Sequence, residues 1–187
     1  MAMNKLILIN GDIATGKSHF ALILKDRFNL PLYTKDEYKE KFADESPCST
    51  YQESHLLSIK AMDTLIDEFS KNAPQNVDLI LEANFHEGYL KQIGAIATKY
   101  HYQILNLDLV GTPEILYQRY VNRRDHEKRH PVHAINQLND FESFKKYCLD
   151  RKKEYKCGKI IEINTDDFSY QNNEELLNHI KQFLLRK

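Results

Sequence analysis

Residues Gly11-Asp12-Ile13-Ala14-Thr15-Gly16-Lys17-Ser18 read G-x-x-x-x-G-K-S, and no other stretch of this 187-residue chain restricts its fold as strongly. The spacing is that of a phosphate-binding loop, in which glycines let the backbone turn its N–H groups inward around an anion. In such a loop Lys17 meets the β/γ-phosphates and the Ser18 hydroxyl ligates Mg²⁺. The flanks supply the context this device needs. Residues 5–10 form a short apolar run that predicts a buried parallel strand. Residues 19–28 carry apolar side chains at helical spacing, with Asn29 as a stop signal. The variable positions Asp12, Ile13, Ala14 and Thr15 contain no glycine, so backbone geometry has to supply the nest.

Beyond the loop the pattern alternates strand and helix, which predicts an α/β fold with a largely parallel sheet. Further strands are expected at 30–33, 77–82, 101–110 and 159–164, and Pro31 makes the first of these short or edge-like. Helices are expected at 35–43, 51–71, 87–100, 113–125, 134–155 and 174–186. Thr112-Pro113-Glu114 is a strong start signal, with a cap, a proline at the first helical position and an acid in the first turn. Leu56, Ile59, Met62, Leu65, Ile66 and Phe69 recur at helical spacing and read as a core-facing stripe.

The length and a hydrophobic content of 42% fit one domain with a proper core. A net charge of −1 gives no global steering toward nucleic acid or anionic membrane. No signal-peptide or membrane-spanning pattern is present. Three cysteines without a C-x-x-C pair suggest reduced thiols and a cytoplasmic location.

In open α/β sheets the ligand crevice lies beyond the carboxyl ends of the strands, so the polar residues that follow strands are the candidates. In Tyr33-Thr34-Lys35-Asp36-Glu37-Tyr38-Lys39, Asp36 is placed to act as a base toward an acceptor hydroxyl. Lys39, one turn on, could steer an anionic substrate or keep the carboxylate ionised. The same residues also read as an ordinary helix start, with Thr34 as cap. At the next strand end, Glu82 stands where a metal-holding acid usually an aspartate sits, so Ser18 and Glu82 form the candidate metal pair. Asn84 and Phe85 could orient and wall an acceptor, as could the 51–71 helix and the turn at 85–89. Arg119 and Arg123 share a helix face and lead into a polar segment ending in Arg129-His130-Pro131-Val132-His133, which together read as a lid carrying an arginine toward the phosphates. A zinc reading of His126, His130 and His133 is disfavoured by Pro131 and by the absence of a nearby cysteine. The turn at 161–167, with Thr165, could border an adenine or be a plain strand exit.

Taken together these segments resemble the small P-loop kinase-like "AAA domain" proteins, a group allied to 5′-hydroxyl polynucleotide kinases, zeta toxins and chloramphenicol phosphotransferases. The resemblance runs from Leu6 to about Thr165. Beyond the loop it rests on Lys35-Asp36-Glu37-Tyr38-Lys39, Leu81-Glu82-Ala83-Asn84-Phe85, Arg119-x-x-x-Arg123 and the R-H-P-V-H segment. It implies a three-layer P-loop NTPase fold, nucleoside-kinase-like, with a mostly parallel five-stranded sheet in one domain over 1–187 and a helical lid at about 119–133. It further implies ATP and Mg²⁺ as ligands and transfer of the γ-phosphate to a hydroxyl of a small molecule or nucleotide. In that carry-over Lys17, Asp36 and Arg123 are catalytic, Asp36 being the base. Arg119 and Arg123 become the nucleotide and lid arginines. Lys39 stands where polynucleotide kinases use an arginine on the acceptor phosphate; a lysine lacks that bidentate grip, so a nucleic-acid acceptor is not favoured. An ATP-binding regulatory module or slow ATPase is the alternative, and a toxin-like kinase of nucleotide sugars is a variant of the first reading.

Overall fold

Alternation along strand β1 (Asn4–Gly11) decides how everything packs. Leu6 and Leu8 face one side and Ile7 and Ile9 the other, and all four are fully buried. A strand apolar on both faces needs a helical layer on each. The computed structural model of the protein describes residues 3–135, 138, 140–151 and 157–185, and it shows that arrangement. In chain order the elements after β1 are α1 (Lys17–Phe28), β2 (Leu32–Thr34), α2 (Lys35–Glu45), α3 (Tyr51–Asn72), β3 (Leu79–Glu82) and α4 (Glu87–Lys99). They continue with β4 (Tyr102–Val110), α5 (Pro113–His126), α6 (Phe141–Arg151), β5 (Lys159–Asn164) and α7 (Glu174–Leu185).

The five strands form one sheet in the order β2-β3-β1-β4-β5, and every pairing is parallel. The sheet is therefore wholly rather than mostly parallel. Helices α3 and α4 cover Leu6, Leu8, Leu79 and Leu81 through Met62, Leu65, Phe69, Leu90 and Ile93. Helices α1 and α7 cover the opposite face through Phe20, Leu24, Leu177 and Ile180. A smaller cluster joins α5 and α6 to the loop after β1, through Leu116, Tyr120, Phe144, Cys148 and Ala14. Among the described residues no helix is long and apolar enough to cross a membrane.

Local chemistry sets the element ends. Asn29 closes α1 in the left-handed conformation (φ 51°). Thr34 caps α2 by accepting from the Glu37 N–H at 3.3 Å. Thr50 and Glu53 form a reciprocal capping box at the start of α3. Thr112 precedes Pro113 as expected, but its hydroxyl donates to Asp166 at 2.7 Å instead of capping α5.

Several boundaries differ from the sequence expectation. Strand β2 begins after Pro31, whose missing N–H cannot join the ladder, and runs on through Thr34. Strand β3 starts at Leu79 because the Asp78 carboxylate turns to accept the Lys5 N–H at 2.7 Å. The helix expected over 134–155 is α6 alone, beginning at Phe141. Pro131–His133 forms a separate 3-10 turn before it, and residues 136, 137, 139 and 152–156 lie outside the described residues, as does Arg186. The stripe on α3 is core only in its second half: Leu56 is 64% exposed and Ile59 38%.

One buried ionic contact ties these layers to the loop after β1. Arg151, the last described residue of α6, donates from Nε to Asp12 at 2.5 Å and from Nη1 to Asp108 of β4 at 2.9 Å. The arginine side chain is 3% exposed and both carboxylates 0%. Removing one partner of such a buried group strands the remaining charges and costs about 3–5 kcal/mol, whereas an exposed pair contributes at most about 1 kcal/mol. Arg151→Ala is accordingly expected to lower the free energy of unfolding in urea by about 3–5 kcal/mol. Arg27→Ala, which breaks the exposed pair with Glu174, should cost under about 1 kcal/mol. Equal losses in the two variants would show that the buried cluster does not hold the fold together.

Candidate active site

The loop between β1 and α1 is shaped by close packing of its backbone against the rest of the rim. Gly11 has φ +146°, and a Cβ there would lie 2.2 Å from the Leu109 carbonyl oxygen, so the backbone itself fills that space. Gly16 has φ +86° and would place a Cβ 2.7 Å from the Tyr170 hydroxyl. Ala14 adopts φ +63° without being glycine, a conformation that costs a residue with a Cβ about 1–2 kcal/mol. The surroundings hold it there: the Asp12 N–H donates to the Leu109 carbonyl at 2.9 Å, and the Tyr170 hydroxyl donates to the Thr15 carbonyl at 2.9 Å. The Asp12 carbonyl accepts from both the Thr15 hydroxyl (2.8 Å) and the Lys17 ammonium (2.6 Å). Lys17 is thus a buried cation bonded to a neutral oxygen. Burial lowers its pKa to about 8, partly countered by Glu82.

Register places the acids. Ile9 and Thr34 each lie level with Glu82, so the end of β3 sits between the phosphate loop and the start of α2. The Ser18 hydroxyl donates to Glu82 Oε2 at 3.2 Å. Glu82 is 4% exposed, and burial raises it to about 7 against the pull of Lys17. Asp36, at the first turn of α2, behaves oppositely. Burial would raise it, but His133, Lys35, Arg129 and Lys17 outweigh that and hold it below the ordinary carboxylate range. Arg129 Nη2 approaches its Oδ2 at 3.5 Å, yet 42% of the Asp36 side chain stays open to the cavity. Two acids facing one cavity are thereby pushed apart in proton affinity.

That cavity has a volume of about 1240 Å³ and runs continuously from Gly16, Lys17 and Ser18 past Glu82 to Asp36 and Lys39. Its far wall is the first half of α3, through Tyr51, Ser54, His55, Ser58, Ile59 and Met62. The apolar spacing on that helix therefore serves the core at one end and the cavity at the other. His86, Tyr89 and Asn84, from the segment after β3, and Tyr147 of α6 also line the cavity.

Two of the predicted residues, Phe85 and Thr165, lie off the cavity, and two more, Arg119 and Lys39, line it with contacts the sequence did not show. Phe85 does not wall the cavity; it is 1% exposed in the core under α3 and α4, and its N–H donates to Asn10. Thr165 is fully buried, and its carbonyl accepts from Arg119 Nη1 at 2.7 Å, so it supports an arginine from behind the site. Arg119 is held rather than swinging: its second Nη donates to the Asp166 carbonyl, and its guanidinium lies 3.7 Å from the centre of the Phe168 ring. Lys39 is 8% exposed and donates to the Ser54 hydroxyl at 2.9 Å while still lining the cavity.

Arg123 also lines the cavity, where Glu127 and Asp36 are the carboxylates that attract it. Burial, then Arg129, lowers its pKa. Asn84 donates to the Tyr147 hydroxyl at 3.2 Å. His130 and His133 meet separate carboxylates, Asp44 and Glu40. Cys157 is buried, which raises its thiol to about 11 and removes any reactive-thiolate role.

Sequence reasoning missed the supports: Arg151, Asp108, Tyr147, Phe168 and Tyr170. Only Asp108 left a signal, as a charge inside an apolar strand.

The chain matches no protein-family model and no curated protein by sequence. Its structure is similar to that of a candidate kinase from Chloroflexus aurantiacus, 21% identical over 99% of this chain and 100% of that one, with a TM-score of 0.83. It is also similar to a sugar kinase from a Janibacter species (14% identity, 96% and 95% coverage, TM-score 0.61) and to a gluconokinase from Sinorhizobium meliloti (11%, 97% and 93%, 0.58). These likenesses show the fold, which is the parallel α/β fold of small P-loop kinases.

The buried Glu82 has a consequence for the ligand-free protein. Its folded pKa of about 7 lies above the ordinary 4.5, so its contribution to stability is full below pH 4.5 and is lost as pH rises through 7. Lys17, lowered from 10.5 to about 8, acts in a separate window above pH 8. In metal-free buffer the melting temperature of the wild type is expected to fall between about pH 4.5 and 7. Glu82→Gln should flatten that slope. A slope unchanged by the substitution would show that Glu82 is not the titrating group.

Proposed function

We propose that the protein is an ATP-dependent phosphotransferase that moves the γ-phosphoryl group to a hydroxyl of a small molecule. The observation that carries this reading is one continuous cavity with a phosphate-binding loop at one end and an ionised, accessible Asp36 at the other. A cavity for a single ligand is about 300–1,000 Å³, so a volume of about 1240 Å³ leaves room for a nucleotide and an acceptor together. The shared fold with a sugar kinase and a gluconokinase supports a small-molecule acceptor.

The residues fit the ligands this reaction needs. A nest closed to side chains at Gly11 and Gly16, with a buried Lys17 bonded only to a carbonyl, is a cradle for phosphate oxygens. Ser18 and Glu82, already in contact, would hold Mg²⁺, which neutralises charge on the β- and γ-phosphates when bound. Arg119, clamped on the Phe168 ring that itself packs near Gly16, flanks the nucleotide end. Arg123, which lines the same cavity, is a cation available to the transferring group.

Asp36 accepts the proton of the acceptor hydroxyl as its oxygen forms the new bond to the γ-phosphorus. The bond from that phosphorus to the bridging oxygen breaks, ADP leaves with the electron pair, and the proton passes on to solvent. Asn84, His86, Tyr89 and the α3 wall are placed to orient the acceptor.

Lys17→Ala should abolish nucleotide binding measured by calorimetry. Asp36→Asn should bind ATP as the wild type does, yet transfer labelled phosphate about 10²–10⁴-fold more slowly to whichever member of a polyol, sugar and nucleoside panel serves as acceptor. Undiminished transfer by Asp36→Asn would remove Asp36 from the chemistry. Tight ATP binding with no product across the panel would favour a nucleotide-binding regulatory module.

A further inference from the structure

The Arg129-His130-Pro131-Val132-His133 segment has no part in the reaction described above, although its contacts are specific. Helix α2 presents Asp36, Glu40 and Asp44 at successive helical turns, an acidic ladder on one face. The segment meets it rung by rung. Arg129 reaches Asp36 at 3.5 Å, His133 Nε2 reaches Glu40 at 2.7 Å, and His130 Nε2 reaches Asp44 at 3.1 Å. The Val132 N–H donates to His130 Nδ1 at 3.2 Å, so the neutral ring carries its proton on Nε2, the atom that faces Asp44. The backbone is held as well. Val132 is 2% exposed, and the Ser54 hydroxyl of α3 lies 3.3 Å from both the Val132 and Ile135 carbonyl oxygens. Pro131 starts the short 3-10 turn that brings His130 and His133 to the same helix.

We propose that this segment is a clip that docks on the acidic ladder of α2, and that Arg129 and His133 are positioning residues for Asp36. The clip closes the acceptor side of the cavity and fixes two cationic or proton-donating groups beside the carboxylate. One Asp36 oxygen, Oδ2, meets Arg129, which leaves the other for an acceptor hydroxyl. The outer contacts are partly exposed, with 74% of the Asp44 and 41% of the Glu40 side chain open. Pairs of that kind are individually weak, so the clip can release and re-dock as acceptor enters and product leaves. Its role in catalysis rests on the phosphotransferase reading; its docking does not.

The sequence of the clip supplies its own probe, because trypsin cleaves after Lys128 and Arg129. Cleavage at these two bonds, followed by mass spectrometry on the full-length protein, reports undocking without any turnover. Glu40 and Asp44 do not line the cavity. The double variant Glu40→Gln, Asp44→Asn is expected to raise cleavage there by about fivefold or more, with an unchanged melting temperature. Coupling is reciprocal, so Asp36→Asn alone should also raise it. The charge swap Glu40→His with His133→Glu should restore protection that Glu40→Gln removes. With an acceptor in hand, Glu40→Gln should lower kcat and leave the Kd for ATP unchanged. Wild-type cleavage rates in both the double variant and Asp36→Asn would overturn the clip. Faster cleavage with unchanged kcat would overturn the positioning role. A chain that cleaves as expected but shows no phosphotransfer would fail the functional reading alone.

Discussion

All five strands point the same way, and from that single constraint the rest of the molecule follows. Parallel strands cannot be joined by tight turns, so each connection must cross a face as a helix and return to the starting edge. Every carboxyl end then emerges on one rim. Gly11, Thr34, Glu82 and Val110, four strand ends in widely separated parts of the chain, become neighbours through register alone. The loop after β1, Asp36 and the Ser18–Glu82 pair are brought to one rim by the sheet.

The rim collects charge that the sheet has to neutralise. Lys17 and Glu82 are both buried, and each offsets part of the other's desolvation. Arg151 takes the same role behind the loop, between Asp12 and Asp108, but the balance is incomplete: Asp12 Oδ2, Arg151 Nη2 and Asn106 Oδ1 are buried without a hydrogen-bond partner among the described residues. Fixed charge of this kind stabilises less than apolar packing would, and it holds a backbone in one geometry. Here the geometry held is that of Asp12, whose carbonyl anchors Lys17.

Features that depend on local chemistry were legible in the chain. The strand–loop–helix unit, the Thr34 cap and the Asn29 stop follow from side chains acting on their own neighbours, and Asp36 and Glu82 stand at the element ends where the chain pattern put them. What escaped is what requires partners far away in sequence. Phe85 follows Glu82 and Asn84, and only the packing of α3 and α4 shows that it turns into the core while Asn84 faces the cavity. Ile59 obeys the same helical period as Leu65, yet lies past the end of the sheet it would have to cover. Thr165 occupies the expected strand exit, but Arg119 bonds its carbonyl and not its side chain. Arg151 carried no local signal at all, since a cation near a helix end is ordinarily solvated.

The contacts that shape the phosphate loop bear on the order in which the chain can become competent. The loop spans residues 11–18, yet its conformation is fixed by Leu109, Arg151 and Tyr170. During synthesis the motif leaves the ribosome 155 residues ahead of the hydroxyl that closes it. A nascent chain can therefore carry the complete motif with no nest to match it, and contacts of such long sequence separation form late. The observed shape of the loop thus depends on the docking of α6 and of the turn after β5.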